Sequence, residues 1–306
     1  MMYHIFMKRA IDSGMTGSIQ PRIRSITCGL TPAERLPPMS LDPMTLRIPA
    51  QVLAVTGPVV HRSSPYHGRC GLVLLLQNAS EQRFVLKVAR GAYRMQELAL
   101  EYEVLKLLHG TAIPVPMPLV HVQNRPLGFL LLEHAAGRSA TDVLREAGSS
   151  DDRDRIAMAM GSMLSMLHHL PVGTVSWQDC VDGQLLWAER HLQEKVMSRA
   201  EFRAKGITGD PVKELERLRA TCPTPGVVAV LHGDFRPKNV LLDGERIMSV
   251  LDWSFADLGD PWYDLATMFG YLDPAGQQVF LNAYGLETVD RERLDWFRSL
   301  SVYLAV

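Results

Sequence analysis

The densest run of chemistry-bearing side chains lies between Val230 and Met268, where VLHGDFRPKNVLLD is followed, after a Gly-Glu turn, by RIMSVLDWSFADLGDPWYDLATM. His232, Asp234, Arg236, Lys238 and Asn239 occupy the first polar loop; Asp252, Asp257 and Asp260 occupy the second. A carboxylate can take the proton of a hydroxyl, and amide or carboxylate oxygens suit a hard divalent cation. The segment thus sets hydroxyl activation beside cation binding, between apolar runs that can hold both loops still.

These loops need supports. VLH and IMSVLD read as short strands, and Asp260-Pro261 reads as an N-cap followed by proline at the first helical position, with Asp264 favourable in the first turn. Upstream, QVLAVTGPVVH, CGLVLLLQ and RFVLKVAR read as three consecutive antiparallel strands. RSSPYHGRCG joins the first two, and its Ser63, Ser64, Gly68 and Gly71 would let backbone amides approach phosphate oxygens, although no GxGxxG is present. Lys87 sits inside the third strand, where alternation leaves its direction undecided. RMQELALEYEVLKLLHG reads as a helix with Leu98, Tyr102, Leu105 and Leu108 along one stripe. Glu101 borders that stripe, placed to hold a lysine by a charge-assisted hydrogen bond.

IPVPMPLV then reads as a proline-punctuated connection to the strand PLGFLLLEHAAG. The polar end of that strand, at Glu133, His134, Ala135 and Gly137, suits a linker where a planar base bonds backbone groups. Beyond it helices dominate. Asp151 or Asp152 is expected to cap DDRDRIAMAMGSMLSMLHHLP, and QLLWAERHLQEKV, PVKELERLRATC, AGQQVFLNAYG and RERLDWFRSLSVYLAV continue the helical pattern.

Whole-chain properties bound the function. With 306 residues the chain has room for two lobes, and 47% hydrophobic with 21% charged residues is an ordinary globular balance. Lys+Arg 32 against Asp+Glu 33 argues against a broad nucleic-acid footprint. No apolar run approaches the ~20 residues of a membrane helix. Cys28, Cys70, Cys180 and Cys222 are scattered without metal-ligand spacing, which fits a reducing compartment. The expectation is a cytoplasmic protein, monomeric or homodimeric, with neither nucleic acid nor membrane as partner. Residues 1–45 are expected to form a weakly ordered extension, ahead of one lobe at 46–135 and a second at 136–306.

Asp234 and Asn239 match the H-x-D-x-x-x-x-N spacing of the protein-kinase catalytic loop. Together, His232-Gly233-Asp234, Asn239, Asp252-Trp253 and Gly259-Asp260-Pro261 resemble the aminoglycoside phosphotransferase and choline kinase superfamily, and the resemblance runs from about Leu53 onward. It implies an α+β, two-lobed protein-kinase-like fold with an antiparallel-sheet N-lobe and a mainly helical C-lobe. It also implies an ATP- and Mg-dependent transfer of the γ-phosphate to a hydroxyl of a small molecule, with ATP or GTP as donor. On this resemblance Asp234 is the catalytic base, His232 buttresses the loop, and Asn239 and Asp252 bind magnesium. Lys87 binds phosphate with Glu101 as its helix partner, and Glu133, Ala135 and Gly68 border the nucleotide. Arg236 or Lys238 neutralises the transferred phosphate, or forms a structural pair with Asp257.

The acceptor stays open among aminoglycoside-, macrolide-, sugar- and amino-alcohol-like compounds. Asp179, Asp182, Glu189, Glu194, Glu287, Asp290 and Asp295 are candidates for holding a polycation, or are solvated helix faces. Trp177, Trp187, Trp262 and Trp296 are candidates for a more apolar pocket, or are core packing. A nucleotide-binding pseudokinase or scaffold without turnover is the alternative reading, and a metal-dependent phosphohydrolase using His232, Asp234 and Asp252 is a poorer one.

Overall fold

The computed structural model describes residues 42–68 and 71–304. The extension expected at 1–45 lies outside the described residues up to residue 41, as do Cys28 and Cys70. Two compact units emerge. Among the described residues the first takes 42–137 together with Met248–Phe255, and the second takes Arg138–Ile247 and Ala256 onward.

The first unit opens with α1 (Ala50–Thr56), where a strand was expected. Val52 and Thr56, about one helical turn apart, are buried while Ala54 between them is exposed, a spacing that fits a helix and not the every-other-residue burial of a strand. Gly57, at φ 69°, ends the helix, and its N–H donates to Leu53 O at 2.9 Å. The first strand, β1 (Val59–Gly68), therefore starts later and absorbs most of the expected loop. It can hold Pro65 because a register irregularity falls between Ser63 and Tyr66, where the ladder does not need that N–H. β2 (Gly71–Asn78) and β3 (Arg83–Arg90) follow, then α2 (Ala92–Leu108), β4 (Pro118–Asn124) and β5 (Leu127–Glu133).

The five strands form one antiparallel sheet in the order β1-β2-β3-β5-β4. The expected proline-punctuated connection runs into β4, whose single proline, Pro118, is its first residue on an edge strand, where a missing N–H costs little. One sheet face buries Leu74, Leu76, Phe84, Leu86, Val88, Phe129 and Leu131 with Val52 of α1. Phe84, Leu86 and Val88 all belong to this core, so strand alternation turns Lys87 to the opposite face, which α2 covers. Gly128 lets α2 approach there, since a Cβ at that position would stand 2.9 Å from Met95 Cγ.

The second unit begins with β6 (Arg138–Ser139) and α3 (Ala140–Glu146), followed by α4 (Ser150–His168), α5 (Trp177–Gln193), α6 (Arg199–Ala204) and α7 (Pro211–Ala220). Ser149, not Asp151 or Asp152, caps α4. Its Oγ accepts from Asp152 N–H at 3.2 Å, and the carboxylate of Asp152 accepts back from the hydroxyl at 2.8 Å. β7 (Ala229–Leu231) leads to a short 3₁₀ turn at Pro237–Asn239 and then to β8 (Val240–Asp243), which pairs with β6. A turn at Gly244 gives β9 (Arg246–Val250), along which the chain passes back into the first unit. β10 (Asp257–Gly259) pairs antiparallel with β7, and α8 (Trp262–Phe269), α9 (Pro274–Tyr284) and α10 (Arg291–Leu304) complete the unit. Among the described residues no helix is long and apolar enough to cross a membrane.

Candidate active site

In the first unit three charged side chains meet. Lys87 Nζ donates to Glu101 Oε1 at 2.6 Å and Oε2 at 2.9 Å, and to Asp252 Oδ1 at 3.1 Å. Glu101 is only 1% exposed, so it does not border the helix stripe but lies under it, and the lysine is its counter-charge. Burial alone would depress the Lys87 ammonium; the charges of Asp252 and Glu101 more than offset it and hold the group protonated, well above the usual lysine range. Asp252 adopts φ 66°, sparsely populated for a residue with a Cβ. Its neighbours pin it: Val250 N–H donates to Pro114 O at 2.8 Å and Trp253 N–H to Glu101 Oε1 at 3.3 Å. The Trp253 ring is fully buried, with its Nε1 donating to Val250 O at 2.8 Å. The carboxylate is thereby left partly open to solvent, while Ser254 Oγ donates to its Oδ1 at 3.2 Å.

The second unit holds the HGDFRPKN loop, which its backbone orients. Gly233 at φ 79° lets two successive amides face one acceptor: His232 N–H and Gly233 N–H donate to Asp264 Oδ2 and Oδ1 at 2.7 and 2.9 Å. Asp264 is fully buried, and His168 Nε2 stands 3.2 Å from its Oδ2 while His168 Nδ1 lies 2.8 Å from Tyr284 Oη. From sequence, Asp264 reads only as a favourable first-turn charge, and His168 carries no local pattern at all. The structure makes them the anchor of the loop. The signal was present only as a buried position on α8; its partners are 32 and 96 residues away.

Asp234 follows this anchored turn. Its N–H donates to His232 Nδ1 at 3.2 Å, which gives His232 its buttressing place. Asn239 Nδ2 donates to Asp234 O and Oδ2, both at 2.9 Å, closing the loop on itself. Arg236 pairs with Asp234 Oδ1, and Lys238 Nζ lies 3.6 Å from Oδ2. Neither pairs with Asp257, whose carboxylate accepts instead from Leu258 N–H at 2.8 Å. Asp260 accepts from Trp177 Nε1 at 2.6 Å, from Arg293 Nη2 at 2.6 Å and from Trp262 N–H at 3.0 Å. It both caps the start of α8 and ties it to α5 and α10.

Other expected positions are placed less tellingly. Glu133 ends β5 opposite Phe84, exposed, with its N–H on Met117 O at 2.9 Å. No hydrogen bond among the described residues engages the Ala135 peptide. Gly68 is a strand residue paired with Gly71, not a loop apex. Of the tryptophans, Trp177 and Trp296 are buried in packing, and Trp187 lies against His191.

Asp252 and Asn239 suit a hard cation chemically. Asn239 spends its donors on Asp234, and its Oδ1 carries no hydrogen bond among the described residues. Each residue thus offers an oxygen, the donor type that magnesium prefers.

A phosphotransferase is the class that these loops point to, and comparison with known proteins agrees. Residues 68–297 match the model of the phosphotransferase enzyme family, and the chain belongs to that family. It is 29% identical over 220 residues to an aminoglycoside 3'-phosphotransferase of Streptomyces fradiae, covering 68% of this chain and 80% of that one. It is 26% identical over 209 residues to mouse acyl-CoA dehydrogenase family member 10, covering 65% of this chain but only 19% of that much longer protein. Among solved structures, an aminoglycoside-3'-phosphotransferase of type VIII superposes with a TM-score of 0.68 at 24% identity, over 83% of this chain and 97% of that one. An aminoglycoside phosphotransferase from Streptomyces rimosus in complex with ADP and streptomycin gives 0.65 at 18% identity, over 83% and 96%. The chain is a small-molecule phosphotransferase with the α+β kinase-like fold of these proteins.

Proposed function

We propose that the chain transfers the γ-phosphate of ATP to a hydroxyl of a small molecule, with Asp234 as the base. The observation that carries this reading is the Asp264-anchored turn that presents Asp234, with Asn239 bound to its carboxylate. The acceptor hydroxyl gives its proton to Asp234 as its oxygen attacks the γ-phosphorus, the bond to the β,γ-bridging oxygen breaks, and ADP leaves. Lys87, kept cationic beside Glu101, binds phosphate oxygens. Magnesium, for which Asp252 and Asn239 each offer an oxygen, supplies charge neutralisation on the phosphates. Ala135 offers an unspent peptide to the base of the nucleotide, and the S. rimosus protein's ADP complex supports nucleotide binding in this fold.

A nucleotide-binding scaffold without turnover would need the Lys87–Glu101 pair but not the Asn239–Asp234 contact, which is present. Incubation with ATP and magnesium across hydroxylated acceptors, read by product mass, tests the reading. A mass gain of one phosphate, abolished by EDTA and matched by ADP release, is expected. Phosphate release from monoesters without ATP would replace it with a hydrolase, and nucleotide binding with no product from any acceptor would favour the scaffold.

A further inference from the structure

We propose that the acceptor carries an anionic group, a carboxylate in the first instance, and that Arg236 binds it and thereby uncovers Asp234. The inference rests on the reading of Asp234 as base.

Three observations in the second unit converge. The first is charge. Asp234 is the one carboxylate paired within the HGDFRPKN loop, and it faces two cations, Arg236 and Lys238. Two cations thus stand beside the one carboxylate of the loop, where an anionic ligand could meet them.

The second is the state of the Arg236 guanidinium. One Nη is spent on Asp234, the other donates to Tyr271 Oη at 3.2 Å, and Nε is buried with no hydrogen-bond partner among the described residues. A buried donor without an acceptor costs on the order of 1–3 kcal/mol, and a guanidinium is best satisfied by a planar, two-oxygen anion taken along one edge. Asp234 meets the fork from its Nη end only. A ligand carboxylate received through Nε and an Nη would satisfy the fork and release Asp234 Oδ1 to take the hydroxyl proton. Tyr271, half exposed, holds the opposite Nη and keeps the plane of the fork fixed during this exchange.

The third is the fate of the acidic residues that could have held a polycation. Glu189 pairs with Arg219 at 2.8 Å, Glu194 with Arg190 at 2.7 Å and Asp295 with Arg298 at 3.4 Å. Asp182 accepts from Gln178, and Asp290 accepts the N–H of Arg293 at the start of α10. These carboxylates are taken up by helix faces and a helix terminus, and no trio of acidic, His or Cys side chains converges among the described residues. Five of the seven carboxylates that could have met a polycation are thus engaged elsewhere.

The transferred phosphate is the other anion Arg236 could meet, and the two sources differ in what they demand of the acceptor. The test measures phosphorylation by product mass, and binding by thermal shift, for glycerate, 3-hydroxybutyrate and gluconate, for their uncharged amides, and for kanamycin, with wild type and Arg236→Gln. The expected result is that the acids are bound and phosphorylated at least tenfold better in kcat/KM than their amides. Arg236→Gln should raise KM for the acids tenfold or more and bring the acid-over-amide preference in KM to within about twofold. Equal damage to acids and amides, appearing in kcat, would assign Arg236 to the transferred phosphate and overturn the proposal. Preference for kanamycin or the amides would overturn it while leaving Asp234 as base. Loss of turnover on every acceptor, with the acids still bound through Arg236, would instead remove the base reading and keep the anion site. Absence of both binding and turnover for the acids would count against the anion site itself. Tyr271→Phe, which removes one hydrogen bond without touching the cluster's charge, should shift KM for the acids two- to fourfold; no change with Arg236→Gln inactive would mark the latter as a folding defect and decide against the geometry given to Tyr271.

Discussion

The Lys87 cluster and the Asp234 loop are built by opposite means. Around Lys87, side-chain charges hold one another: a buried glutamate, a lysine and a half-open aspartate, each needing the others. Around Asp234, main-chain amides do the holding, with two N–H groups on a fully buried carboxylate that a histidine also contacts. A charge cluster can re-pair when a phosphate arrives, because its members are single flexible side chains. A backbone turn fixed by a buried carboxylate cannot move without breaking, which suits a group that must meet a hydroxyl in one orientation.

Substitutions can break this contrast. Asp264→Ala should be the most damaging, because it orphans two buried amides and strips His168 of its acceptor; a loss of about 4 kcal/mol in urea unfolding is expected, from roughly 1–3 per unmet donor. If stability fell by less than about 1 kcal/mol, main-chain anchoring would not be what holds the loop.

Lys87→Met should cost about 3 kcal/mol of stability by leaving Glu101 buried without its counter-charge. Here the two regions should part company. Adding Glu101→Gln should restore about 2 kcal/mol without restoring turnover, since mutual charges can be removed as a pair, whereas the amides freed by Asp264→Ala have no partner to remove.

A smaller effect tests whether local capping helps place His168. Ser149→Ala at the start of α4 should lower stability by about 1 kcal/mol and leave turnover near wild type. A large drop in turnover would show that the anchor depends on the helix terminus.

The smallest effect lies outside both regions. Burial, with the charges of Asp257 and Asp179, pushes the Cys180 thiol up to about 12, well above the usual thiol range. A raised pKa means that its contribution to stability is whole below pH 9 and is lost as pH climbs toward 12. Cys180→Ala should flatten that alkaline decline, measured by unfolding between pH 8 and 11.

What the sequence made legible follows the same division. Asp234, Asn239 and Asp252 stand out because local motifs fix their spacing, whereas Lys87 and Glu101 are singled out by the family resemblance, since strand alternation alone leaves the direction of Lys87 undecided. Asp264, His168 and Tyr284 were read as helix furniture, since a buried hydrogen-bond chain across α4, α8 and α9 leaves no local pattern. The same limit explains the first strand: QVLAVT is β-prone by composition, yet tertiary burial of Val52 and Thr56 made it a helix. At β4, Pro118, which would break a central strand, is harmless at an edge.

The most direct test of the division of labour is the ATP affinity of Asp234→Asn beside its turnover. The account predicts affinity within twofold of wild type, because the proposed phosphate contact is Lys87 and the proposed magnesium donor is Asp252, neither of which the substitution touches, together with a loss of turnover on the order of 10³-fold. Turnover within tenfold of wild type, or ATP binding lost along with it, would contradict the assignment of Asp234 as the base.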